Sequence, residues 1–204
     1  MVKKVKINEI KLLGGKVCLD FVNTIHDRIH EPFYDYLTDV HALVEWALLT
    51  NIIQSEQKVT LEKIIGEAPA KASSFFKEAL QLRALLWNLF PLIIQKKAIP
   101  KPLLSTFNKY VSAYFSKLQL IPNKTGFIEN WQMEASNLHQ ITAPIIKDAY
   151  SLMLQDDLER IKSCPNCGWL FYDGSKNRKR RWCSMTTCGS RVKALQWYNK
   201  QKSK

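Results

Sequence analysis

Apolar residues recur at helical spacing through most of the first 155 residues. Val40, Leu43 and Val44 begin one such stripe, and Thr38 precedes it as a residue type that caps helix N-termini. Pro91 should kink or end the longest stripe, because proline cannot donate the helical hydrogen bond. The pattern predicts helices over residues 38–53, 55–65, 70–97, 102–118 and 138–155.

The periodicity changes between residues 119 and 133. Two short apolar segments, QLIP and FIENWQM, flank a turn-forming segment that runs from Asn123 to Gly126. This arrangement predicts a β-hairpin. The first part of the chain is therefore expected to be mainly helical, with a small amount of strand.

The composition is typical of a folded protein: 46% of the 204 residues are hydrophobic and 24% are charged. Only 7 glycines and 8 prolines are present, which excludes collagen-like and low-complexity classes. The longest apolar stretch, residues 84–94, contains Asn88 and Pro91 and is shorter than the roughly 20 residues that a membrane helix needs. Residues 1–16 lack the apolar region of an export signal. We therefore expect no membrane partner and a cytoplasmic location.

The positive charge is concentrated at the end of the chain. Residues 160–204 hold 12 Lys and Arg against Asp173 alone, whereas residues 1–159 hold 18 against 17 acidic residues. Four of the five cysteines lie in the same basic segment. Both signals predict a boundary near residues 156–163, which divides the chain into units 1–158 and 159–204.

The four cysteines have the spacing of a metal site. Cys164 and Cys167 are separated by two residues, and Cys183 and Cys188 follow with four residues between them. A tight turn can aim the first two thiolates at one metal ion, and a predicted helix over residues 185–200 follows the second pair. Two disulfides are the poorer alternative, because nothing marks the chain for export. We expect one structural Zn²⁺ in a treble-clef-like finger, with short strands over residues 169–172 and 180–183.

The other candidate groups carry weaker signals. Cys18 is predicted to be a buried apolar residue rather than a redox group. His26 and His30 are four residues apart, but no carboxylate motif accompanies them, which disfavours a second metal site. The sequence contains no nucleophile motif, phosphate-binding glycine loop or HExxH, so we expect no enzyme. Asp20, His26 and Asp27 lie close together in sequence and keep an enzymatic N-terminal unit as an alternative.

The basic segment has the charge density of a nucleic-acid-binding surface. The last predicted helix carries the candidates for contacts with base edges, and these are Arg191, Lys193, Gln196 and Asn199. Trp197 is expected to pack on the finger hairpin or on a partner. In the alternative, part of the charge only compensates the zinc tetrathiolate or solvates a turn. The candidate phosphate and base contacts are Lys176, Arg178, Lys179, Arg180, Arg181, Arg191 and Lys193.

Two motifs give the chain a family resemblance. The segment CGWLFYDGSKNRKRRWCSMTTCGSRVKA resembles the CGNR zinc finger, and GGKVCLDFVNTI resembles the opening of the ABATE domain that precedes that finger. The resemblance covers nearly the whole chain. It implies that the four zinc ligands are Cys164, Cys167, Cys183 and Cys188. Ser190 departs from the family's Asn, which puts in doubt any hydrogen bond made by the longer amide but leaves the metal ligands unchanged.

The resemblance implies a bacterial, stress-related transcription regulator that binds DNA through its C-terminal finger and senses a ligand or associates through its N-terminal domain. Asp20, Asn23 and Thr24 match the polar part of the family's N-terminal motif, where they would bind a small ligand or satisfy buried backbone groups. The rival interpretation is a zinc-finger adaptor for RNA or protein. A homodimer is compatible with DNA binding, because many DNA-binding proteins read paired half-sites. We expect an α+β fold, mainly helical with a small β-hairpin and followed by the treble-clef-like finger.

Overall fold

A computed structural model describes residues 7–31 and 34–202 of the chain. Its α+β fold has seven α-helices and four short strands among these residues, with a π-helical turn over Met185–Gly189 before the last helix. The helices are α1 (Val17–Val22), α2 (Val40–Leu49), α3 (Ser55–Glu67), α4 (Pro69–Ile94), α5 (Lys101–Phe115), α6 (His139–Met153) and α7 (Ser190–Lys202). The strands are β1 (Leu118–Asn123), β2 (Gly126–Trp131), β3 (Ile161–Ser163) and β4 (Leu170–Tyr172). In the described part of the chain, no helix combines the length and the apolar character needed to cross a membrane.

The long helix α4 is the centre of the N-terminal unit and packs against α1, α2, α3, α5 and α6. Its buried face includes Leu82, Leu86, Leu89 and Phe90, as the helical stripe predicted. Pro91 does not end the helix, which continues to Ile94. The proline lies in the last turns, where only one internal hydrogen bond is lost and the neighbouring apolar side chains are held by the core.

The predicted helices α2 to α6 and the first hairpin are confirmed, with shifts at their ends. Asp39, not Thr38, caps α2, because its carboxylate accepts a hydrogen bond from the Ala42 N–H at 2.8 Å. In the hairpin, β1 and β2 pair in antiparallel register, with Ile121 opposite Ile128. The six-residue helix α1 was not predicted from the sequence, since it is too short to display a helical period.

The strands of the C-terminal finger differ from the prediction. β4 pairs with β3, which precedes Cys164, so the first cysteine pair forms the turn of this hairpin. Residues 180–183 form no strand. The prediction was wrong there because the Arg180 N–H donates to the Asp173 carboxylate at 2.9 Å instead of joining a strand ladder.

The finger docks on the N-terminal unit, and the buried residues of both form one continuous hydrophobic cluster. Asn23 makes the most specific link. Its Nδ2 donates to the Leu170 carbonyl at 2.7 Å, and its Oδ1 accepts from the Leu170 N–H at 2.9 Å. The Trp169 indole N–H donates to the Ile25 carbonyl at 2.7 Å. The side-chain amide of Asn23 thus bonds to the free edge of strand β4 in the way that a neighbouring strand would.

The turn that carries the first cysteine pair makes a second link. The Arg28 N–H donates to the Cys167 carbonyl at 2.9 Å, and the Tyr172 N–H donates to the Gly14 carbonyl at 2.8 Å. Gly168 has φ +74°, and a Cβ there would lie 2.7 Å from Cβ of Arg28. Glycine is required at this position because the backbone is left-handed and the N-terminal loop approaches so closely.

A buried ion pair holds the N-terminal loop that contacts the finger. The Arg83 guanidinium, on α4, donates to both carboxylate oxygens of Asp35 and to the Thr24 hydroxyl at 2.8 Å. Arg83 is only 7% exposed, so its charge is compensated inside the core. The segment between Thr24 and Asp35 is therefore fixed at both ends while it contacts the cysteine turn.

Replacement of Asn23 by alanine should destabilise the whole chain. The variant leaves the N–H and carbonyl of Leu170 without partners in a buried site, at a cost of about 2–4 kcal/mol in the free energy of unfolding. Denaturant unfolding followed by circular dichroism measures the loss. The matched control is Asn108→Ala on the exposed surface of α5, which should change stability by less than about 0.5 kcal/mol. Equal effects of the two variants would contradict the proposed docking role.

Candidate metal centre

Four cysteines from two segments converge beneath helix α7. Cys164 and Cys167 belong to the turn between β3 and β4, and Cys183 and Cys188 flank a tight turn before α7. The Cys164 N–H donates to the Trp169 carbonyl, and the Gly168 N–H donates to the Cys164 carbonyl, each at 2.8 Å. These bonds aim both thiols of the first pair to the same side of the hairpin.

The donor set fits one zinc ion. The four Sγ atoms all lie within 4.8 Å of one another. Sγ of Cys183 is 3.6 Å from those of both Cys167 and Cys188. Sulfurs placed about 2.3 Å from a tetrahedral Zn²⁺ would be separated by about 3.8 Å. The four thiolates would fill all tetrahedral positions, so the metal is structural and leaves no place for a reacting water.

Polar contacts surround the thiols. The Asn166 side-chain amide donates to Sγ of Cys188 at 3.4 Å, and the Ser184 hydroxyl accepts from the Thr187 N–H at 3.3 Å in the turn before α7. Cysteine binds zinc as the thiolate, so metal binding releases the protons of those thiols that carry one, which couples metal affinity to pH.

Asp173 organises the basic loop that follows β4. Its carboxylate is fully buried and accepts from Lys162 Nζ at 2.7 Å, the Arg180 N–H at 2.9 Å and the Ser175 hydroxyl at 2.6 Å. Burial alone would raise the pKa of Asp173, but the hydrogen bonds from Lys162 and Ser175 hold it well below its usual range. The sequence analysis missed this role, although the isolation of one acid among 12 cations was the available signal.

The predicted nucleic-acid residues do not form one uniform set. Arg178 pairs with the Asp157 carboxylate at 2.8 Å. Arg180 donates to the Trp182 and Cys183 carbonyls and lies 4.8 Å from the Phe171 ring centroid. The Arg180 guanidinium thus links parts of the finger to one another, whereas Arg178 is exposed and pairs with a residue of the N-terminal unit. The other predicted residues are exposed and make no ion pair with any described residue, and these are Lys176, Lys179, Arg181, Arg191 and Lys193.

The polar residues of the N-terminal motif are engaged inside the protein. Asp20 accepts from the Gly14 N–H at 2.7 Å, and Thr24 donates to the Phe21 carbonyl at 2.7 Å. Burial raises the pKa of Asp20 to about 6. Together with the Asn23 links to β4, these contacts favour the structural alternative. A ligand-binding role for these three residues stays a prediction.

The remaining histidine and cysteine candidates have protein partners or are buried. His26 Nδ1 lies 2.9 Å from the Tyr36 hydroxyl, and His30 Nδ1 lies 3.1 Å from the Asp27 carboxylate. Within the described ranges, the four finger cysteines form the one cluster suited to a metal ion. Cys18 is fully buried, as expected, and burial raises the pKa of its thiol.

Comparison with known proteins divides the chain into two matched regions. The family model named ABATE, described as "Putative stress-induced transcription regulator", matches residues 15–156, more than two thirds of the chain. The model of the CGNR zinc finger matches residues 160–201. No curated protein sequence matches the chain.

Metal removal should loosen both the finger and the loop that docks on it. We expect one zinc ion per chain by elemental analysis and faster amide exchange at Arg28 and Leu170 after chelation. The Arg28 N–H donates to the Cys167 carbonyl on the cysteine hairpin, and the Leu170 N–H on that hairpin donates to Asn23, so both bonds depend on the hairpin's position. Cys164→Ser should lose the metal, whereas Cys18→Ala should retain it. Slow exchange at Arg28 in metal-free protein would contradict this coupling.

Asp173→Asn should destabilise the finger without removing a metal ligand. The carboxylate accepts four hydrogen bonds, from Lys162, the Arg180 N–H, and the hydroxyl and N–H of Ser175. An amide cannot accept all four or compensate the charge of Lys162, so we expect the free energy of unfolding to fall by about 3 kcal/mol. Competition with a colorimetric chelator should detect weaker zinc retention. Asp156→Asn, an exposed carboxylate outside the finger, serves as the control. Unchanged zinc retention in the Asp173 variant would refute its organising role.

Proposed function

The chain belongs to the ABATE family of transcription regulators and ends in a CGNR zinc finger, and from this membership we propose that it binds duplex DNA through the finger. The N-terminal domain controls this binding by sensing a ligand or by mediating association, including a homodimer. The protein acts in the bacterial cytoplasm during stress responses. The proposal gives it no catalytic activity.

The observation that carries the proposal is the exposure of α7. This helix contains no buried residue over its 13 positions. Leu195, Trp197 and Tyr198 are 54%, 66% and 50% exposed, respectively, so Trp197 does not pack on the finger hairpin, and its packing on a partner stays a prediction. Because none of its residues is buried against the described part of the chain, α7 presents its side chains to a binding partner.

The distribution of side chains on α7 favours a nucleic-acid groove as that partner. Leu195 and Trp197 are two residues apart and point to opposite sides of the helix, so α7 lacks the single apolar face that a membrane surface or hydrophobic protein groove requires. The major groove of B-DNA, about 12 Å wide, surrounds an inserted helix and tolerates polar groups on most of its sides. Lys193, Lys200 and Lys202 supply charge along the helix without an acidic residue among them.

The exposed cations outside the helix supply phosphate contacts. Lys176 and Lys179 make no ion pair with any residue in the described ranges, and Arg181 lies 5.0 Å above the Trp182 ring without an acidic partner there. Arg178 and Arg180 are excluded from this set because internal contacts occupy their guanidiniums. The DNA surface is therefore narrower than the whole basic run.

Salt-dependent titration with duplex DNA tests the proposal. Alanine at Lys176, Lys179, Arg181 and Lys193 should lower affinity more than tenfold at moderate salt and reduce the slope of log K against log salt by about 3–4, because each lost phosphate contact retains counterions. The matched control replaces four exposed lysines of the N-terminal unit by alanine and should change neither the affinity nor the salt slope. These lysines are Lys71, Lys77, Lys97 and Lys101. A flat salt dependence would reject DNA binding, and tighter binding of structured RNA or of a protein would favour the adaptor alternative.

A further inference from the structure

A cleft of about 430 Å³ lies between the N-terminal unit and the finger. Lys11 and Leu13 line it from the first described segment, His26 and Tyr36 line it from the docking loop, and Arg191 lines it from the first turn of α7. The sulfur-bearing residues Cys167, Cys183 and Cys188 border the same space. The cleft is large enough for a small organic molecule and touches both units.

Several polar groups face this cleft with unused bonding capacity. Lys11 and Arg191 make no hydrogen bond or ion pair with any residue that the structure describes. By contrast, the Asp27 carboxylate is occupied by the Ile29 N–H at 2.8 Å and by the N–H and ring of His30. The His26 ring is held by the Tyr36 hydroxyl at 2.9 Å. The cleft is therefore lined by two cations, Lys11 and Arg191, that have no hydrogen-bond or ion-pair partner among the described residues, whereas the Asp27 and His26 side chains are already engaged.

Electrostatics favour an anionic ligand with one charge. The finger segment carries 12 cations against one acid, and this excess outweighs the formal charge of minus two on a zinc tetrathiolate. Glu9 also lines the cleft, and its repulsion disfavours a doubly charged molecule. Arg191 lies close enough to His26 to lower the pKa of that imidazole, after the larger effect of burial.

The apolar residues that line the cleft indicate what the uncharged part of the ligand would be. Leu13 and the aromatic residues Tyr36 and Trp169 contribute apolar surface beside the two cations. A flat apolar ring can lie against such groups while a carboxylate contacts a guanidinium in bidentate geometry. We propose that this cleft binds a small aromatic monocarboxylate, whose carboxylate is held by Lys11 and Arg191.

Occupation of the cleft would act directly on the DNA-reading helix. Arg191 is the second residue of α7, so a ligand that binds it neutralises one cation of the helix and ties its first turn to the N-terminal unit. This regulatory consequence rests on the proposed function, whereas binding of the ligand does not. We expect a saturating ligand to weaken DNA binding about threefold, as the loss of one phosphate contact would.

The probe for the site is benzoate, with benzamide as its uncharged isostere. Zinc-loaded, isotopically labelled full-length protein should bind benzoate with a Kd on the order of 1 mM, with amide shifts at Leu13, His26 and Thr187. Benzamide should bind at least tenfold more weakly. Lys11→Ala and Arg191→Gln should each weaken benzoate binding about tenfold, while Lys101→Ala on α5 leaves it unchanged.

The other outcomes overturn the proposal. Absence of shifts at 10 mM benzoate or equal binding of benzamide would exclude a carboxylate site. If Arg191→Gln loses its zinc and the unsubstituted protein does not bind benzoate, then Arg191 serves only to compensate the negative charge of the metal centre. If benzoate binds but does not change the DNA affinity, only the regulatory consequence is overturned. If the protein binds no DNA under any condition, the proposed function is overturned, but the benzoate titration still decides whether the cleft is a ligand site.

Discussion

The structure of the C-terminal finger depends on overcoming the electrostatic repulsion among four cysteine thiolates. Their sulfurs lie within 4.8 Å of one another in a buried site, an arrangement that a divalent cation stabilises and that bare thiolates would oppose. The same turn offers the Cys167 carbonyl to the Arg28 N–H. The metal centre therefore fixes an edge of the N-terminal unit as well as the finger.

The polar residues of the N-terminal motif complete this coupling. Asn23 satisfies both main-chain groups of Leu170, and Arg83 holds the far end of the same loop through Asp35. Asn23 and Arg83 are buried and hydrogen-bonded, so displacement of the finger would leave the Asn23 amide and the main chain of Leu170 without partners. The finger is consequently attached to the N-terminal unit by buried hydrogen bonds as well as by the chain itself.

The sequence predicted the features that depend on local spacing. The cysteine pattern predicted the metal ligands, and the apolar stripes predicted α2 to α6, because both signals repeat within a few residues. The strand predicted over residues 169–172 contains β4. The helix α1 and the strand β3 were missed, and a strand was wrongly predicted over residues 180–183, since segments of three to six residues display no period. The links of Asn23 to Leu170 span 147 positions of the chain, and no local pattern announces such a partner.

The basic residues of the run 178–181 differ in role because only some of them lie close to oxygen atoms that need a hydrogen-bond donor. Arg178 and Arg180 lie in the loop that Asp173 folds back onto the hairpin, where carboxylate and carbonyl oxygens would otherwise lack donors. Lys179 and Arg181 alternate with them, are exposed, and make no ion pair with any residue in the described ranges. One contiguous run of cations therefore contains two kinds of residue, and the cations without an internal partner alternate with those that have one. Charge counting along the sequence cannot separate these roles, because the oxygens that distinguish them come from residues before and after the run.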